Sequence, residues 1–272
     1  MSRVGIKIAV NAIQKYYPVR LADSSWDNTG LLVEAINDIE KRLKILLTID
    51  LTQSVVDEAI KNETNLIMAY HPFIFRGLKS ITTKDPQQKS LLKLIKNDIS
   101  VYCPHTAVDS AIGGVNDFLV DGLCTVEEIE SKKPIIPNPK EAEGCGMGRL
   151  VELKNPIKLS DVITKVKKSL GLEHLQVAIA NGKDKDVKIK TIAICAGSGS
   201  GVFKGIDADL FYTGELSHHE LLYFKETGSS VIVCNHSNTE RAFLKVFKQQ
   251  LEKELDADIL ISQTDKDPLE FF

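Results

Sequence analysis

Apolar runs alternate with amphipathic stretches along the first half of the chain. Runs of aliphatic and β-branched residues predict four strands, over 31–33, 44–49, 65–70 and 99–103. Between them, apolar residues at helical spacing predict three helices, over 54–62, 87–96 and 114–123. This alternation predicts an α/β fold in which helices cover a largely buried sheet.

The second half repeats the alternation after a segment of different character. Residues 131–148 contain three prolines and three glycines, which predicts a linker or long loop. Helices are then expected over 159–170 and 239–254. Strands are expected over 149–153, 177–180, 191–195, 210–212, 231–234 and 258–262. The predicted organisation is a first half over 1–130, a linker over 131–148 and a second half over 149–272.

Composition and charge exclude several classes of protein. The 272 residues are 43% hydrophobic and 26% charged, which is typical of a globular chain and not of a disordered one. The formal net charge of −3 gives no electrostatic reason to expect direct nucleic-acid or membrane partners. No apolar run is long enough to span a bilayer.

Cysteine usage and the N-terminus bear on the compartment. The five cysteines are scattered without a C-x-x-C pair, so neither a disulfide framework nor a zinc ribbon is predicted. Cys103, Cys195 and Cys234 lie in apolar runs and are expected to be buried in a reducing compartment. Four basic residues precede the first acid, Asp23. An ordinary first helix in a cytoplasmic protein explains them, and a mitochondrial presequence is the alternative.

Candidate chemistry collects where apolar strands end, which is where α/β sheets bind ligands. The residues that follow predicted strands are Asp50, His71, His105, Asp109, Glu215, His218, His219, His236 and Glu240.

A four-residue spacing occurs twice in this set. His236 and Glu240 lie four residues apart at a predicted helix start, and His105 and Asp109 repeat the spacing. This spacing suits two ligands of one metal ion. Imidazole and carboxylate donors favour zinc, iron, manganese or nickel, and the donors are enough for two ions. Hydrogen-bonded loop histidines and acidic helix caps are the alternative for each residue taken alone.

A glycine-rich segment, 196–201, follows the predicted strand over 191–195. It could hold a phosphate group through backbone N–H groups, or it could be a tight turn that requires positive φ. The segment does not match the P-loop pattern.

A set of motifs over nearly the whole chain resembles the family named after NGG-one interacting factor three. Members of this Nif-three-like family also carry the name GTP cyclohydrolase 1 type 2 homolog. The matching segments begin with Trp26-Asp27-Asn28-Thr29-Gly30, Thr48-Ile49-Asp50, Tyr70-His71-Pro72 and His105-Thr106-Ala107-Val108-Asp109. They continue with Gly114-Val115-Asn116-Asp117, 196–200, Thr213-Gly214-Glu215-Leu216-Ser217-His218-His219 and His236-Ser237-Asn238-Thr239-Glu240.

The resemblance implies a dinuclear metal site. Carried over by position, the metal ligands would be His71, Asp109, His236 and Glu240, with Glu240 bridging two divalent ions. Many bacterial members have a second histidine where this chain has Tyr70. The loss of that imidazole implies a weaker second site, unless Tyr70 simply packs at the end of its strand.

The family also implies a fold, an assembly and two functions. The implied fold has two interlocked α/β units with mixed central sheets covered by helices, without an inserted middle domain. The implied assembly is a homohexamer. One function is a metal-dependent hydrolase that acts on a nucleotide, such as GTP, with catalytic residues unassigned. The alternative is a non-enzymatic metal-binding scaffold or transcription-related regulator that contacts a protein partner.

Overall fold

The computed structural model describes residues 3–36 and 42–270. The described helices are α1 Arg3–Tyr16, α2 Gln53–Lys61, α3 Pro86–Lys96, α4 Thr106–Ser110, α5 Val115–Asp121, α6 Leu159–Leu170, α7 His218–Glu226, α8 Asn238–Arg241 and α9 Leu244–Glu254. The described strands are β1 Gly30–Val33, β2 Lys44–Thr48, β3 Leu66–Ala69, β4 Ser100–Cys103, β5 Ile129–Lys133, β6 Ile136–Pro137, β7 Gly146–Met147, β8 Arg149–Lys158, β9 Gln176–Ala178, β10 Lys188–Ser198, β11 Leu210–Glu215, β12 Ser230–Val233 and β13 Asp258–Ile261.

The first compact unit comprises Met1–Val108 and Leu244–Lys266. Its sheet has the order β1-β4-β3-β2-β13, with β13, β2, β3 and β4 parallel and β1 antiparallel to β4. Every residue of β3 and β4 is buried, as expected for parallel strands covered on both faces. Thr52 caps α2 by accepting a hydrogen bond from the Val55 N–H, and Asp85 caps α3 in the same way.

The second compact unit comprises Asp109–Phe243 and Asp267–Phe272. Its sheet has the order β5-β8-β10-β11-β12-β9, in which β10, β11 and β12 are parallel. The strands β5, β8 and β9 pair antiparallel with their neighbours. Phe203, Phe211 and Phe224 form the aromatic part of its core. The predicted α/β class with mixed sheets is therefore confirmed.

The observed division of the chain differs from the predicted division at 131–148. Residues 244–266 belong to the first unit because β13 extends its sheet by pairing in parallel with β2. The predicted linker contains structure of its own: β5 pairs with β8, and β6 pairs with β7. Proline and glycine there mark short turns and strand ends, so a loop throughout 131–148 was the wrong interpretation.

The predicted helix over 239–254 is two helices. The break after α8 falls where the chain passes from the second unit to the first. None of the helices in the described part of the chain combines the length and apolarity needed to cross a bilayer.

Candidate functional site

In the first unit, the polar residues that follow β2, β3 and β4 lie at one edge of the sheet. These strands are parallel neighbours, so their carboxyl ends coincide. Strand pairing continues beyond the assigned ends, because the Tyr70 N–H donates to Thr48 O at 2.9 Å and the His71 N–H to Ile49 O at 3.1 Å. This pairing brings His71 beside Asp50.

Each of the two histidines in this unit's site has a carboxylate at Nδ1. His71 Nδ1 lies 2.8 Å from Asp50 Oδ1, and His105 Nδ1 lies 2.7 Å from Asp27 Oδ1. A carboxylate at Nδ1 fixes the ring and turns Nε2 toward the ligand side, as in most metal-binding histidines. Burial raises the pKa of Asp27, but hydrogen bonds from His105 and Thr106 outweigh burial and hold that pKa below its usual value.

Tyr70 is fully buried among these imidazoles. Its ring contacts His71 edge to face at a centroid distance of 5.4 Å, and His105 at 5.9 Å. The two imidazoles also contact each other, at 5.5 Å. Tyr70 thus packs at the end of β3, and its predicted effect on a second metal ion stays a prediction.

In the second unit, one histidine lies between two carboxylates. His236 Nδ1 is 2.9 Å from Glu215 Oε1 at the end of β11, and His236 Nε2 is 3.5 Å from Glu240 Oε1 in α8. Glu240 is buried, with 3% of its side chain exposed. Ligands held at about 2.1 Å from one tetrahedral ion lie about 3.4 Å apart. The Nε2–Oε1 separation is therefore suited to a shared cation.

Gly197 forms the floor under these two ligand atoms. A Cβ on Gly197 would lie 2.8 Å from both Glu240 Oε1 and His236 Nε2, and the residue has a φ of +63°. Its backbone is fixed because its N–H donates to Thr239 Oγ1 at 2.8 Å and its carbonyl accepts from Thr213 Oγ1 at 3.1 Å. Only glycine leaves this space open.

Asp109 is tied to the same part of the second unit. Asn116 Nδ2 donates to Asp109 O at 3.0 Å, and Asn116 Oδ1 accepts from the Ala196 N–H at 2.9 Å. Burial raises the pKa of Cys195, and the nearby charges of Asp109 and Glu240 raise it further.

A buried ion pair fixes the turn that follows Asp109. Arg149, only 1% exposed, donates from Nε to Asp117 Oδ1 at 2.8 Å and from Nη2 to Ala111 O at 3.0 Å. Asp117 Oδ2 also accepts from the Gly113 N–H at 2.7 Å. Burial raises the pKa of Asp117, but its hydrogen bond and charge interaction with Arg149 hold that pKa below the usual value.

Burial disfavours the thiolate form of Cys103, Cys195 and Cys234. All five cysteines are free and buried, which confirms the prediction for Cys103, Cys195 and Cys234. Burial raises the pKa of both Cys103 and Cys234 to about 12. A divalent ion would therefore find nitrogen and oxygen donors here. The geometry around His236, Glu240 and Gly197 fits such an ion.

The other candidates have local roles. His218 and His219 are exposed at the start of α7, where Ser217 and Glu220 form a capping box. In the glycine-rich segment, a Cβ on Gly199 would lie 2.4 Å from the Phe203 ring. Ser200 Oγ donates to Glu220 at 2.9 Å. These contacts favour a tightly packed turn over a phosphate loop.

Sequence reasoning missed the residues that hold the site in place. Asp27 lies 78 residues before its partner His105, so no local spacing signals the pair. Asn116 and Asp117 belong to the segment 114–117 that resembles the family. Their contacts with Ala196 and Arg149 form only in the folded chain, so the sequence does not predict them.

Comparison with known proteins identifies the family. Residues 4–268 match the model of Duf34/NIF3 (NGG1p interacting factor 3). The chain belongs to the Duf34/NIF3 family. NGG1-interacting factor 3 of Saccharomyces cerevisiae is 45% identical, covering 99% of this chain and 98% of its own. A GTP cyclohydrolase 1 type 2 homolog of Clostridium perfringens is 37% identical, covering 96% and 97%.

A solved structure supports the fold of this Duf34/NIF3 member. The Bacillus cereus protein related to NIF3 superposes with a TM-score of 0.82 at 22% identity, covering 98% of this chain and 99% of its own. At that identity the likeness bears on the fold alone.

Proposed function

We propose that this protein holds up to two divalent metal ions through His71, Asp109, His236 and Glu240. The observation that carries the proposal is the 3.5 Å approach of His236 Nε2 and Glu240 Oε1, beside a glycine whose missing Cβ leaves room for both atoms. Glu215 at the other nitrogen of His236 supports it, because ligating histidines have such a partner. Asp50 gives His71 the same support within the first unit. Zinc, iron, manganese and nickel suit this donor set.

We further propose that the metal-loaded protein is a hydrolase that acts on a nucleotide, with GTP as the first substrate to test. When bound, a divalent ion polarises its ligands and lowers the pKa of coordinated water toward 7. Glu215 and Asp50 orient the imidazoles, and buried Glu240 places a carboxylate oxygen beside His236 Nε2. The relative named as a GTP cyclohydrolase 1 type 2 homolog supports the choice of GTP.

The test combines elemental analysis with turnover. We expect Glu240→Ala to lose both ions and GTP turnover, because Glu240 is assigned as the bridge. Glu152→Ala removes an exposed carboxylate of the same unit and should retain both properties. Full metal content in Glu240→Ala would contradict the ligand assignment.

The second candidate is a metal-binding regulator without enzymatic activity. Buried Tyr70, in the place of a second histidine, favours it because a neutral phenol is a poor ligand. The name of the yeast relative, NGG1-interacting factor 3, is consistent with such a role. Protein that keeps its ions but does not turn over GTP or other nucleotides would favour this candidate. We propose a homohexamer in either case, which sedimentation would test.

A further inference from the structure

The first unit exposes two aromatic rings beside its histidine cluster. The side chains of Trp26 and Phe75 are 50% and 46% exposed, and their ring centroids lie 6.1 Å apart at an angle of 59°. Trp26 also contacts His105 edge to face at 5.7 Å. We call Trp26, Phe75 and His105 the ring surface. A ligand that covers exposed rings of this size removes apolar surface from water, and this burial stabilises the complex.

The ring surface is preorganised. The Trp26 indole N–H donates to Asp23 Oδ2 at 3.0 Å, which fixes the plane of the ring although half of it is exposed. Asn28 donates a hydrogen bond to the carbonyl of Ile74, so the segment that carries Trp26 is joined to the segment that carries Phe75. A ligand therefore does not have to order these rings when it binds.

His105 gives the ring surface a polar edge. Its Nδ1 is engaged by Asp27, whose side chain is completely buried, so Nε2 is the nitrogen that can face a ligand. His105 also has a φ of +34°, an unfavourable conformation for a residue with a side chain. Such conformations persist where the surrounding structure enforces them, and they occur preferentially at functional sites.

The chemistry of this surface favours a flat heteroaromatic ring. Two rings and one imidazole match the size of a single heterocycle, whereas a stable protein interface involves about 20–30 residues on each side. Aromatic rings stack on indole with little regard to sequence or substituent, and the polar edge of a heterocycle can hydrogen-bond to an imidazole. A sugar or an aliphatic chain has no flat π face and would not combine stacking with the hydrogen bond.

We propose that the ring surface binds the heteroaromatic ring of the substrate, which stacks on the indole of Trp26, packs its edge against Phe75 and hydrogen-bonds to His105. This inference deepens the proposed nucleotide hydrolase and rests on it, because the ring surface adjoins His71 through the His71–His105 contact. Trp26, Phe75 and His105 would then determine the class of substrate, while the four proposed ligands hold the metal.

The chain has one tryptophan, so fluorescence excited at the long-wavelength edge, where the six tyrosines absorb little, reports on this surface. Full-length protein, both chelator-treated and metal-loaded, is titrated with guanosine, with ribose as the control. We expect saturable quenching by guanosine and none by ribose. Phe75→Leu should weaken guanosine binding about five- to tenfold, as expected for the loss of one stacking partner. Tyr223→Leu, which removes an exposed aromatic ring of the second unit, should leave binding unchanged.

Two further variants complete the test. Trp26→Leu, measured by equilibrium dialysis with labelled guanosine, should bind at least tenfold more weakly. His105→Asn tolerates the positive φ and should weaken guanosine more than its purine analogue without exocyclic groups. Equal quenching by ribose, or unchanged binding in Phe75→Leu and Trp26→Leu, would overturn the proposal. A second outcome would also overturn it: the protein does not bind guanosine, and Phe75→Leu changes the sedimentation coefficient. That outcome would indicate that the ring surface is an interface between copies of the chain.

The outcome is separable from that of the proposed hydrolase. Guanosine binding is measured without metal and without turnover, so it can persist in Glu240→Ala. Wild-type protein that binds guanosine but takes up no metal when it is loaded would refute the metal proposal and support the ring surface. Protein that retains metal but does not bind guanosine would refute the ring surface alone.

Discussion

The two units place histidines at corresponding points, after parallel strands, but surround them differently. In the first unit, His105 is bordered by the rings of Trp26 and Tyr70 and by one buried carboxylate, Asp27. In the second unit, His236 lies between Glu215 and buried Glu240, with a glycine beneath. Aromatic walls favour a flat ligand, whereas two carboxylates favour a cation. If both proposals hold, the same strand-end position serves two kinds of recognition.

The units also differ in how the site is held. The second unit uses buried hydrogen bonds between side chains and backbone, such as those of Asn116 and Thr239. The first unit combines buried hydrogen bonds, such as that from the Thr106 N–H to Asp27 Oδ2 at 3.2 Å, with ring contacts that are partly exposed. The buried frame around His236 and Glu240 suits a metal site, because ligand atoms must be placed to within a fraction of an ångström.

The largest expected effect is on the frame of the second unit. Arg149→Met would leave buried Asp117 with only Lys132, partly exposed and 2.9 Å away, as its cation. Breaking a buried ion pair typically costs about 3–5 kcal/mol of unfolding free energy, and we expect a loss at the lower end because Lys132 remains. Lys190→Met, which breaks the exposed pair with Glu152 on the same sheet, should change stability little. Urea unfolding of both variants measures the difference. Equal stability in the two would mean that the buried pair does not hold this unit together.

The orienting carboxylates provide the next test of the comparison. Glu215→Gln should weaken divalent metal binding about 10- to 100-fold, because it loosens His236. Asp27→Asn makes the same chemical change beside His105 and should leave metal affinity nearly unchanged. Competition with a chromophoric chelator measures both. A similar loss in the two variants would abolish the distinction between the units.

Asp27 also predicts a dependence of stability on acid. Its pKa is lowered in the folded protein, so the unfolded chain binds more protons than the folded one near the usual aspartate value of 3.8. The stabilisation is present above that value and is lost as the pH falls through the lower, folded-state pKa. Unfolding of wild type and Asp27→Asn from pH 6 to pH 2.5 should show a steeper acid loss in the wild type. Parallel curves would contradict the assignment.

The smallest expected effect concerns Tyr70. Tyr70→His would restore an imidazole at the end of β3 and should tighten binding of the second ion severalfold, limited by the packing that the phenol ring now provides. Calorimetric titration with zinc compares the two proteins. Two equal high-affinity sites in the wild type, unchanged by the substitution, would contradict the prediction that Tyr70 weakens the second site.

Much of the fold could be predicted because its strands are buried runs and its helices have apolar periodicity. The helix over 159–170 was predicted with its observed bounds, and it ends at Gly171 in the left-handed conformation. The division into units could not be predicted, because it depends on β13 pairing with β2 across about 200 residues of chain. Local patterns do not encode such pairings.

For the site, spacing predicted the pair of His236 and Glu240. The turn that precedes α8, in which the Thr239 N–H donates to His236 O at 3.3 Å, brings the two side chains together. The carboxylates at Nδ1 of His105 and His236 could not be predicted, because they are distant from the histidines in sequence. Asp27 and Glu215 meet their histidines only through the arrangement of the sheets. Gly197 was noted within a glycine-rich turn, but its role as the floor of the site required the positions of His236 and Glu240.

The most direct test of the central claim, that the second unit holds a cation above Gly197, is the metal content of two glycine variants. Gly197→Ala and Gly171→Ala both place a side chain at positive φ, +63° and +71°, and this backbone strain alone should cost each about 1 kcal/mol of stability. The close contacts at Gly197 add to its loss. Gly171 has no atom within 4 Å of the added Cβ, whereas at Gly197 the Cβ enters the space between the ligand atoms. We predict that purified Gly197→Ala loses most of its divalent metal while Gly171→Ala retains the wild-type content. Wild-type metal content in folded Gly197→Ala would contradict the account.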